Sequence, residues 1–392
     1  MRFYLSVEIF FRIKYGYNTD VFVSLPPIYQ IQYGYNMDKY IQKLHFDFPT
    51  NQRVVQLIAA IDEYRGKWNV VEKRENRYLK ELRRIATIES IGSSTRIEGS
   101  TMTNDEVKQL LKDVKIAKLD TRDEQEVIGY YEVLEIILDN YPEIRLSESY
   151  IKQLHQLLLK YSRKDERHRG GYKHLPNSVV ATYPTGEQKT IFATTDPVLV
   201  ESEMFSLVEW VNHQWNTKAI HPLVVLALFV YEFLSIHPFQ DGNGRLSRLL
   251  TTLFLLQQGY EFMQYISFEN HIENHKKNYY DALMSAQRKR ITHDDVIDKW
   301  LIFFLESLKT LTEKLDNKYN VFKQKGGYLN DRQKLLKEFF AEYKTVKFSD
   351  LSAAFPNISP NTLKKDLQYL CAEQIISTMG QGRGTVYVLE KV

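Results

Sequence analysis

The stretch "SIHPFQDGNGRLSRLL" at 235–250 constrains this 392-residue chain more than any other. It joins a predicted helix over 221–235 to a predicted helix over 244–258 through a turn that contains a Gly-Asn-Gly triplet. The same turn holds a histidine, an aspartate and two arginines, which a turn buried in an apolar core does not need. We therefore expect two successive helices whose connecting turn binds a ligand.

The glycines of the triplet predict an anion site. Gly242 and Gly244 permit backbone angles that leave successive N–H groups pointing at one spot. The helix that begins here adds the positive end of its dipole. Arg245 and Arg248 are three residues apart, so both can face the same spot. No Walker A or kinase signature occurs in the sequence, so the usual nucleotide-binding folds do not compete with this interpretation.

Two further residues of the stretch indicate chemistry on a bound phosphate. Asp241 is a hard oxygen ligand suited to Mg²⁺ that arrives on phosphates. His237 is the candidate proton acceptor, because the ordinary pKa of histidine lies near neutrality. Together these residues predict a polyphosphate site with a base beside it. The plainer alternative is an anion-binding helix cap with a structural histidine, and the number of residues that fit favours the polyphosphate site.

The chain around this stretch is predicted to be helical, with one interruption. Apolar residues recur at three- and four-residue steps, which predicts further helices over 122–140, 147–162, 200–215, 269–288 and 293–318. "TNDE" at 103–106 predicts a capping box at the start of another helix. The interruption is "NSVVATYPTGEQKTIFAT" at 177–194, where β-branched runs flank "PTGE" and predict a hairpin.

A separate compact unit is predicted at the C-terminal end. "KQKGGYLND" at 323–331 is polar, contains paired glycines and is interpreted as a linker. Three predicted helices and a glycine-tipped hairpin follow, which is the pattern of a winged helix. Lys364, Lys365 and Arg383 are candidate phosphate contacts if residues 331–388 bind DNA. A dimerisation or packing role for this unit stays open as an alternative.

Composition limits the class of protein. The chain is 43% hydrophobic and 26% charged, which is ordinary for a globular protein, and its net charge of +3 is too small to indicate nucleic-acid binding. The single cysteine, Cys371, excludes an internal disulfide and fits a cytoplasmic location. No apolar run approaches the length of a membrane span.

The N-terminal segment 1–36 is interpreted as a doubtful extension that precedes the natural start of the protein. "KYGYNTD" at 14–20 is echoed by "QYGYNMD" at 32–38, and the second copy contains Met37. We expect natural translation to begin at Met37. A two-stranded extension is the alternative.

The sequence "HPFQDGNGRLSR" resembles the signature of the Fic family, HPFx(D/E)GNGRxxR, at every fixed position. The resemblance covers about 126–310 and implies a mainly α fold, a Fic-type helical bundle with a β-hairpin flap. Most family members transfer AMP from ATP to a hydroxyl side chain of a target protein. By this resemblance His237 is the base that deprotonates the target hydroxyl and Asp241 holds Mg²⁺. The residues implied to hold the phosphates of ATP are Gly242, Asn243, Gly244, Arg245 and Arg248.

Two other segments resemble parts of the same family. The hairpin at 177–194 is similar to the flap that pins an extended target segment by strand addition. "ENHKKNYYDAL" at 273–283 is similar to the adenine-pocket helix, which implies that Asn278 binds the base and that Tyr279 or Tyr280 packs on it. Both tyrosines are explained equally well as core residues. Family members are often dimers, so a homodimer is open as a further partner.

A third resemblance concerns regulation. "SSTRIEGS" at 93–100 matches the family's inhibitory motif [S/T]xxxE[G/N] through Ser94, Glu98 and Gly99, and its position resembles the class with an N-terminal inhibitory helix. A Glu98–Arg248 pair would occupy the arginine that otherwise holds the γ-phosphate, and the carboxylate would repel the triphosphate. The alternative is an ordinary surface glutamate where a helix ends.

These patterns predict four segments: the doubtful extension 1–36, an N-terminal helical region 37–125 with the inhibitory helix around 90–100, the Fic domain 126–310 and a winged helix-turn-helix domain 327–392. The predicted protein is a self-inhibited protein adenylyltransferase, a nucleotidyltransferase that uses ATP and Mg²⁺. It modifies Tyr, Thr or Ser of a target docked along the hairpin, and no membrane partner is expected. Two alternatives remain: other Fic chemistry (removal of AMP, or transfer of UMP, phosphocholine or phosphate) and a DNA-binding regulator with a Fic sensor domain.

Overall fold

The computed structural model describes residues 39–72, 77–113, 119–182, 188–290, 292, 294–325, 329–343, 345–372, 375–380 and 382–390. The predictions for 1–36 and Met37, and the "PTGE" tip of the hairpin, lie outside these residues. The described part is mainly helical, which confirms the predicted fold class. The chain divides into two compact units. The second unit consists of the residues after 314 together with the short segment 75–82, and the first unit consists of the rest. The four predicted segments stay predictions.

From Phe48 to Lys325 the described elements follow one another as helices with a single hairpin between them, and the unit boundaries at 82 and 314 fall within the second and the last of these helices. They are α1 (Phe48–Glu72), α2 (Arg77–Ile97), α3 (Asn104–Asp113), α4 (Arg122–Asn140), α5 (Glu148–Leu158), β1 (Ser178–Thr182), β2 (Gln188–Ala193), α6 (Val200–Thr217), α7 (Pro222–Ile236), α8 (Asn243–Gln257), α9 (Phe268–Asn274), α10 (Lys276–Gln287) and α11 (Asp298–Lys325). Short 3₁₀ turns occur at Pro197–Leu199 and Glu261–Tyr265. No helix in the described ranges combines the length and apolar character needed to cross a membrane.

Side-chain caps fix where several of these helices begin. The predicted box before α3 is present: the Thr103 amide donates to the Glu106 carboxylate at 2.8 Å, and the Glu106 amide donates to Thr103 Oγ1 at 3.3 Å. Thr121 and Glu124 form the same box at the start of α4. Each box satisfies amides that the first helical turn leaves without partners.

The core of the first unit is built around α7. Every residue from Leu223 to Ile236 is buried, as expected for a helix that is apolar on all sides. α6 and α8 pack against α7, and α4 packs against both α5 and α8. The Trp300 indole of α11 donates to the Ala227 carbonyl at 2.7 Å. The end of α7 and the start of α8 are therefore held from several directions, and with them the turn between.

The predicted hairpin is present. β1 and β2 pair antiparallel from Ser178↔Ala193 to Thr182↔Gln188, with a register shift between Val179 and Val180. The segment predicted to be helical over 269–288 consists of two helices, α9 and α10, because the backbone breaks at His275, where φ is −121° and ψ is 30°.

The second unit contains α12 (Asp331–Glu342), β3 (Thr345–Lys347), α13 (Phe348–Ala354), α14 (Pro360–Ala372), β4 (Ile376–Met379) and β5 (Val386–Leu389). Its strands form an antiparallel sheet in the order β3-β5-β4. The unit has its own apolar core, with Leu336, Phe340, Leu351, Leu363 and Leu367 buried. Asp366 is buried and accepts from Arg332 Nε at 2.9 Å and from Gln333 Nε2 at 3.0 Å.

The segment predicted as a linker, 323–331, is helical at its start. α11 continues to Lys325, because lysine and glutamine are good helix formers and the paired glycines come only afterwards. The second unit's first helix then begins at Asp331, after an Asn330 cap.

Candidate functional site

His237 ends α7 in a left-handed backbone conformation, with φ 51° and ψ 61°. Its amide donates to the Phe233 carbonyl at 2.8 Å, and its Nδ1 lies 3.3 Å from the Leu234 carbonyl. Because a carbonyl only accepts, Nδ1 carries the proton and Nε2 keeps its lone pair. Burial, followed by the charge of Lys173, lowers the pKa of His237 to about 4. The imidazole is therefore neutral at pH 7 and is able to accept a proton at Nε2.

The turn after His237 is fixed by Asn243 and Gly242. The Asn243 side chain accepts from the Phe239 amide at 2.9 Å and donates to the Phe239 carbonyl at 2.7 Å. Gly242 precedes α8 with φ 79°, a conformation that glycine adopts without strain. Both ends of the Asn243 side-chain amide are bonded to Phe239. The group of Asn243 that could bind a ligand is therefore its backbone N–H. That amide belongs to the first turn of α8, where N–H groups lack intrahelical partners.

Asp241 and Arg245 form an ion pair at the start of α8. Asp241 Oδ1 accepts from the Gly242 amide at 2.6 Å and lies 3.2 Å from Arg245 Nη2. Arg245 is 1% exposed, and its Nη1 lies 3.3 Å from Glu126 Oε2. Burial alone would raise the pKa of Asp241, but Arg245 and the Gly242 amide hold that pKa below its ordinary range. Arg245 thus neutralises two carboxylates, and Asp241 stays ionised.

Asp241 fits a magnesium ion that arrives with phosphates. Its second oxygen, Oδ2, lies 3.6 Å from Lys164 Nζ, and its side chain is 28% exposed. Within the described ranges no cluster of three or more His, Cys, Asp or Glu residues could hold a metal ion. One carboxylate completed by phosphate oxygens and water is a usual arrangement for Mg²⁺. The Asp241 carboxylate therefore suits Mg²⁺ that arrives with the phosphates of a substrate.

Arg248, one turn further along α8, binds the end of α2. Its Nε donates to Ser94 Oγ at 2.8 Å, and its Nη2 donates to the Ser94 carbonyl at 3.0 Å and to Glu98 Oε1 at 2.8 Å. A Cβ built on Gly244 would overlap the Glu98 carboxylate. Burial alone would raise the pKa of Glu98, but Arg248 and then Arg245 keep that pKa below its ordinary range. An ionised carboxylate therefore lies directly over the first turn of α8.

The C-terminal end of α2 is held in place by neighbouring helices. Gly99 ends the helix with φ 107°, and the Gly99 and Ser100 amides donate to the carbonyls of Arg96 and Thr95. Arg96 donates to both oxygens of Glu273 on α9, at 2.7 and 3.0 Å. On α10, Lys276 Nζ donates to the Ile97 carbonyl at 2.9 Å. Ser94 and Glu98 of the predicted inhibitory motif are thus brought to Arg248 by a docked helix end, which Gly99 follows.

The three predicted adenine-pocket residues of α10 do not share one surface. Asn278 is exposed and lines an open groove of about 530 Å³ together with Asp281, Ala282, Met284, Ser285, Arg288 and Lys299. Tyr279 and Tyr280 are buried, and the Tyr279 ring lies 5.7 Å from the Trp300 ring. Burial raises the pKa of Tyr279 to about 12. Gln287 of α10 reaches the end of α7, where it donates to Ser235 Oγ.

Sequence reasoning missed His155, which supports the turn from α5. The Gly170 amide donates to His155 Nδ1 at 2.8 Å, so Nε2 carries the proton and donates to the Asp241 carbonyl at 2.9 Å. The ring is stacked on Phe239 with centroids 3.8 Å apart. Burial lowers the pKa of His155 to about 4. No motif surrounds this histidine, and its partners are distant in the sequence, so no local signal identifies it.

Sequence reasoning also missed Lys173, which is 2% exposed. Its Nζ donates to Asn177 Oδ1 at 2.8 Å, to Thr194 Oγ1 at 2.7 Å and to the Ile236 carbonyl at 3.0 Å. Asn177 in turn donates to the Phe239 carbonyl at 2.8 Å. The base of the hairpin is therefore bonded to the turn that carries His237.

Sequence comparisons identify relatives of the part of the chain that contains this turn. The sequence profile of the Fic/DOC family matches residues 145–255. A Fido domain-containing protein of Dictyostelium discoideum is 42% identical over 80 residues, 20% of this chain and 54% of that protein. The protein adenylyltransferase Fic of Drosophila grimshawi is 28% identical over 225 residues, 54% of this chain and 43% of that protein. The chain thus spans about half the length of these curated relatives.

Solved structures are similar in fold. A Fic family protein from Desulfovibrio desulfuricans G20 matches with a TM-score of 0.59 and 24% identity, covering 88% of this chain and 97% of that chain. A Fic domain-containing signalling protein from Bacteroides thetaiotaomicron matches with a TM-score of 0.52 and 26% identity, covering 66% and 97%. The residues matched by the family profile include the turn after His237. Residues 145–255 of this chain form a Fic/DOC domain.

Proposed function

We propose that this protein is a self-inhibited protein adenylyltransferase, which transfers AMP from ATP to a Tyr, Thr or Ser hydroxyl of a target protein. The observation that carries the proposal is the position of the Glu98 carboxylate, over Gly244 and bonded to Arg248. An anionic group already lies where the phosphates are proposed to bind. The relatives named protein adenylyltransferase support the class of reaction.

The proposed reaction needs a base, an anion site and charge neutralisation. Nε2 of His237 takes the proton of the target hydroxyl, whose oxygen attacks the α-phosphorus of ATP. The bond from that phosphorus to the bridging oxygen breaks, and pyrophosphate leaves. The first-turn amides of α8 and Arg248 hold the phosphates in line for this attack. Mg²⁺, held by Asp241, would supply neutralisation of the phosphate charge.

The target is proposed to lie along the hairpin at 177–194. A two-stranded ribbon offers backbone groups at its edges, so an extended segment can add to it as a further strand. The contacts of Lys173 and Asn177 with Ile236 and Phe239 support this role, because they tie the hairpin to the backbone on both sides of His237. A hydroxyl on the added strand would then reach the base.

Glu98 is proposed to act as the brake. It occupies Arg248 and places a negative charge at the anion site, so that ATP can bind in a reactive position only after the carboxylate moves. The Arg248–Ser94 bonds support this role, since they hold the arginine toward α2.

The test is incorporation of labelled ATP into proteins of a cell extract, with mass spectrometry of the labelled bands. We expect Glu98→Gly to raise incorporation about 10- to 100-fold over wild type, since a charge-assisted hydrogen bond contributes about 1.5–3 kcal/mol. Glu98→Gly combined with His237→Ala should abolish it. Glu89→Gln, on the same helix, is the matched control and should behave as wild type. Equal low rates in wild type and Glu98→Gly would reject the brake.

The added mass separates the alternatives within the family. AMP, UMP, phosphocholine and phosphate give different increments on the target. Loss of AMP from a target modified beforehand would instead identify removal as the reaction.

A second function, DNA binding by the second unit, is favoured by the surface of α14. Its exposed face carries Asn361, Lys364, Lys365 and Gln368, while Leu363 and Leu367 point into the core. The order of helices and strands around α14 supports a winged helix, in which this helix would enter the major groove. The side chain of Arg383 lies outside the described part.

A further inference from the structure

Lys173 binds the backbone on both sides of His237. Its side chain donates to the carbonyl of Ile236, and its own amide donates to the carbonyl of Pro238 at 2.8 Å. These two peptide units precede and follow His237 in the chain. The histidine is therefore held between two hydrogen bonds that come from a single residue.

The backbone of His237 needs such support. A residue with a side chain is strained at φ 51°, and such a conformation persists only where its surroundings determine it. The last carbonyls of α7 also lack helical partners. The Ser235 carbonyl accepts from the Thr195 amide at 3.2 Å, and the Ile236 carbonyl accepts from Lys173. A cation at this end also favours the helix dipole.

The charge of Lys173 acts on the same histidine. Burial lowers the pKa of Lys173 to about 8, so the ammonium is mostly charged at pH 7. The charged groups that face it are Asp196, Arg290 and Glu203. His237 is faced by Lys173, which disfavours the imidazolium, and by Glu98 and Asp241, which favour it. The charge of Lys173 thus adds to burial in disfavouring the imidazolium form of His237 before substrate binds.

We propose that Lys173 is the positioning residue of His237, fixing the left-handed turn that aims the imidazole and disfavouring its protonation in the free protein. This rests on the proposed role of His237 as the base. Lys173 does not contact the reacting atoms. It acts through the peptide units on either side of the base and through its charge.

The experiment compares Lys173→Gln, whose amide can still donate but carries no charge, with Thr194→Val, which leaves the charge. The second change removes one acceptor of the Lys173 ammonium together with the bonds that the Thr194 hydroxyl donates to Asn177. Lys160→Gln, an exposed lysine paired with Glu132, is the matched control. The imidazole pKa of His237 is measured by NMR with ring-labelled histidine and assigned with His237→Ala. The transfer rate against pH is measured with each change added to Glu98→Gly.

For Lys173→Gln we expect the pKa of His237 to rise by about one unit, the range expected for loss of one nearby charge. The acid limb of the rate profile should move to higher pH by the same amount, and kcat should fall at least several-fold with little change in KM for ATP. Thr194→Val should lower kcat and leave the pKa of His237 unchanged.

An unchanged pKa in folded Lys173→Gln would overturn the role of the charge. An unchanged kcat in Thr194→Val would overturn the positioning role. This measurement remains informative even if Lys173→Gln does not fold. The NMR titration needs no turnover. A shifted pKa in a protein without any transfer activity would therefore reject the proposed function and leave the inference about Lys173 intact.

Discussion

His155 and His237 are both kept neutral by burial, and each uses its ring nitrogens differently. Both ring nitrogens of His155 form hydrogen bonds with backbone groups, the Gly170 amide and the Asp241 carbonyl. In His237, Nδ1 bonds to a carbonyl of the preceding helix, and Nε2 is able to accept a proton. The first histidine is therefore structural and the second is available as a base, although the pKa of each is lowered to about 4.

These two histidines make stability depend on pH. The unfolded chain binds their protons near pH 6.5, whereas the folded chain binds them only near pH 4. Between these values the unfolded state holds more protons, so the free energy of unfolding falls as the pH falls from 6.5 to 4. The slope is at most about 1.4 kcal/mol per pH unit for each histidine. Urea denaturation at pH 7.5, 6 and 5 measures it.

His155→Asn separates the contribution of one histidine from the other. Asparagine can donate and accept, but it does not titrate, so we expect a loss of about 1–3 kcal/mol at pH 7.5 together with a shallower slope below pH 6.5. A slope equal to that of the wild type would show that His155 is not neutral in the folded protein.

At the scale of secondary-structure elements, the Arg96–Glu273 pair attaches the C-terminal end of α2 to α9. The pair is bidentate and partly exposed, while in the Glu98–Arg248 contact the arginine is buried and the glutamate is partly exposed. Because both contacts belong to one helix end, weakening the Arg96–Glu273 pair should let the Glu98–Arg248 contact open more often.

We expect Glu273→Gln to raise the transfer rate of the wild type about 2- to 10-fold, which corresponds to about 0.5–1.5 kcal/mol for a hydrogen-bonded pair. The same change added to Glu98→Gly should have no effect, since no carboxylate remains to be released. Labelled-ATP incorporation is measured for the wild type, the two single variants and the double variant, which together form a double-mutant cycle. Additive effects of the two substitutions would contradict the coupling.

Local signals predicted the elements better than their orientation. The α4 helix begins and ends where its periodicity places it, at 122–140, because its capping box and apolar spacing are properties of neighbouring residues. The outward position of Asn278 depends instead on how α10 is rotated against Trp300 and the end of α7, which no local pattern specifies. The same holds for Lys173, whose partners lie at 177, 194 and 236.

At the scale of the whole molecule, the second unit has its own core and its own candidate binding surface. If that surface binds DNA, Lys364→Glu with Lys365→Glu should weaken binding and reduce the slope of log K against log salt by about two. AMP transfer should be unchanged. Lys108→Glu with Lys112→Glu on α3 makes the same change in net charge and is the control. Fluorescence anisotropy at several salt concentrations measures both, and equal losses in the two pairs would show that net charge alone is responsible.

The closeness of Glu98 to Gly244 has a consequence for every affinity measured on this chain. If a phosphate binds over Gly244 as proposed, it cannot occupy that place together with the internal carboxylate, and the chain would compete with its own ligand. The dissociation constant observed for a nucleotide would then be the intrinsic constant divided by the fraction of molecules in which the carboxylate has moved aside. A titration of wild type alongside Glu98→Gly would therefore report how often the protein opens by itself.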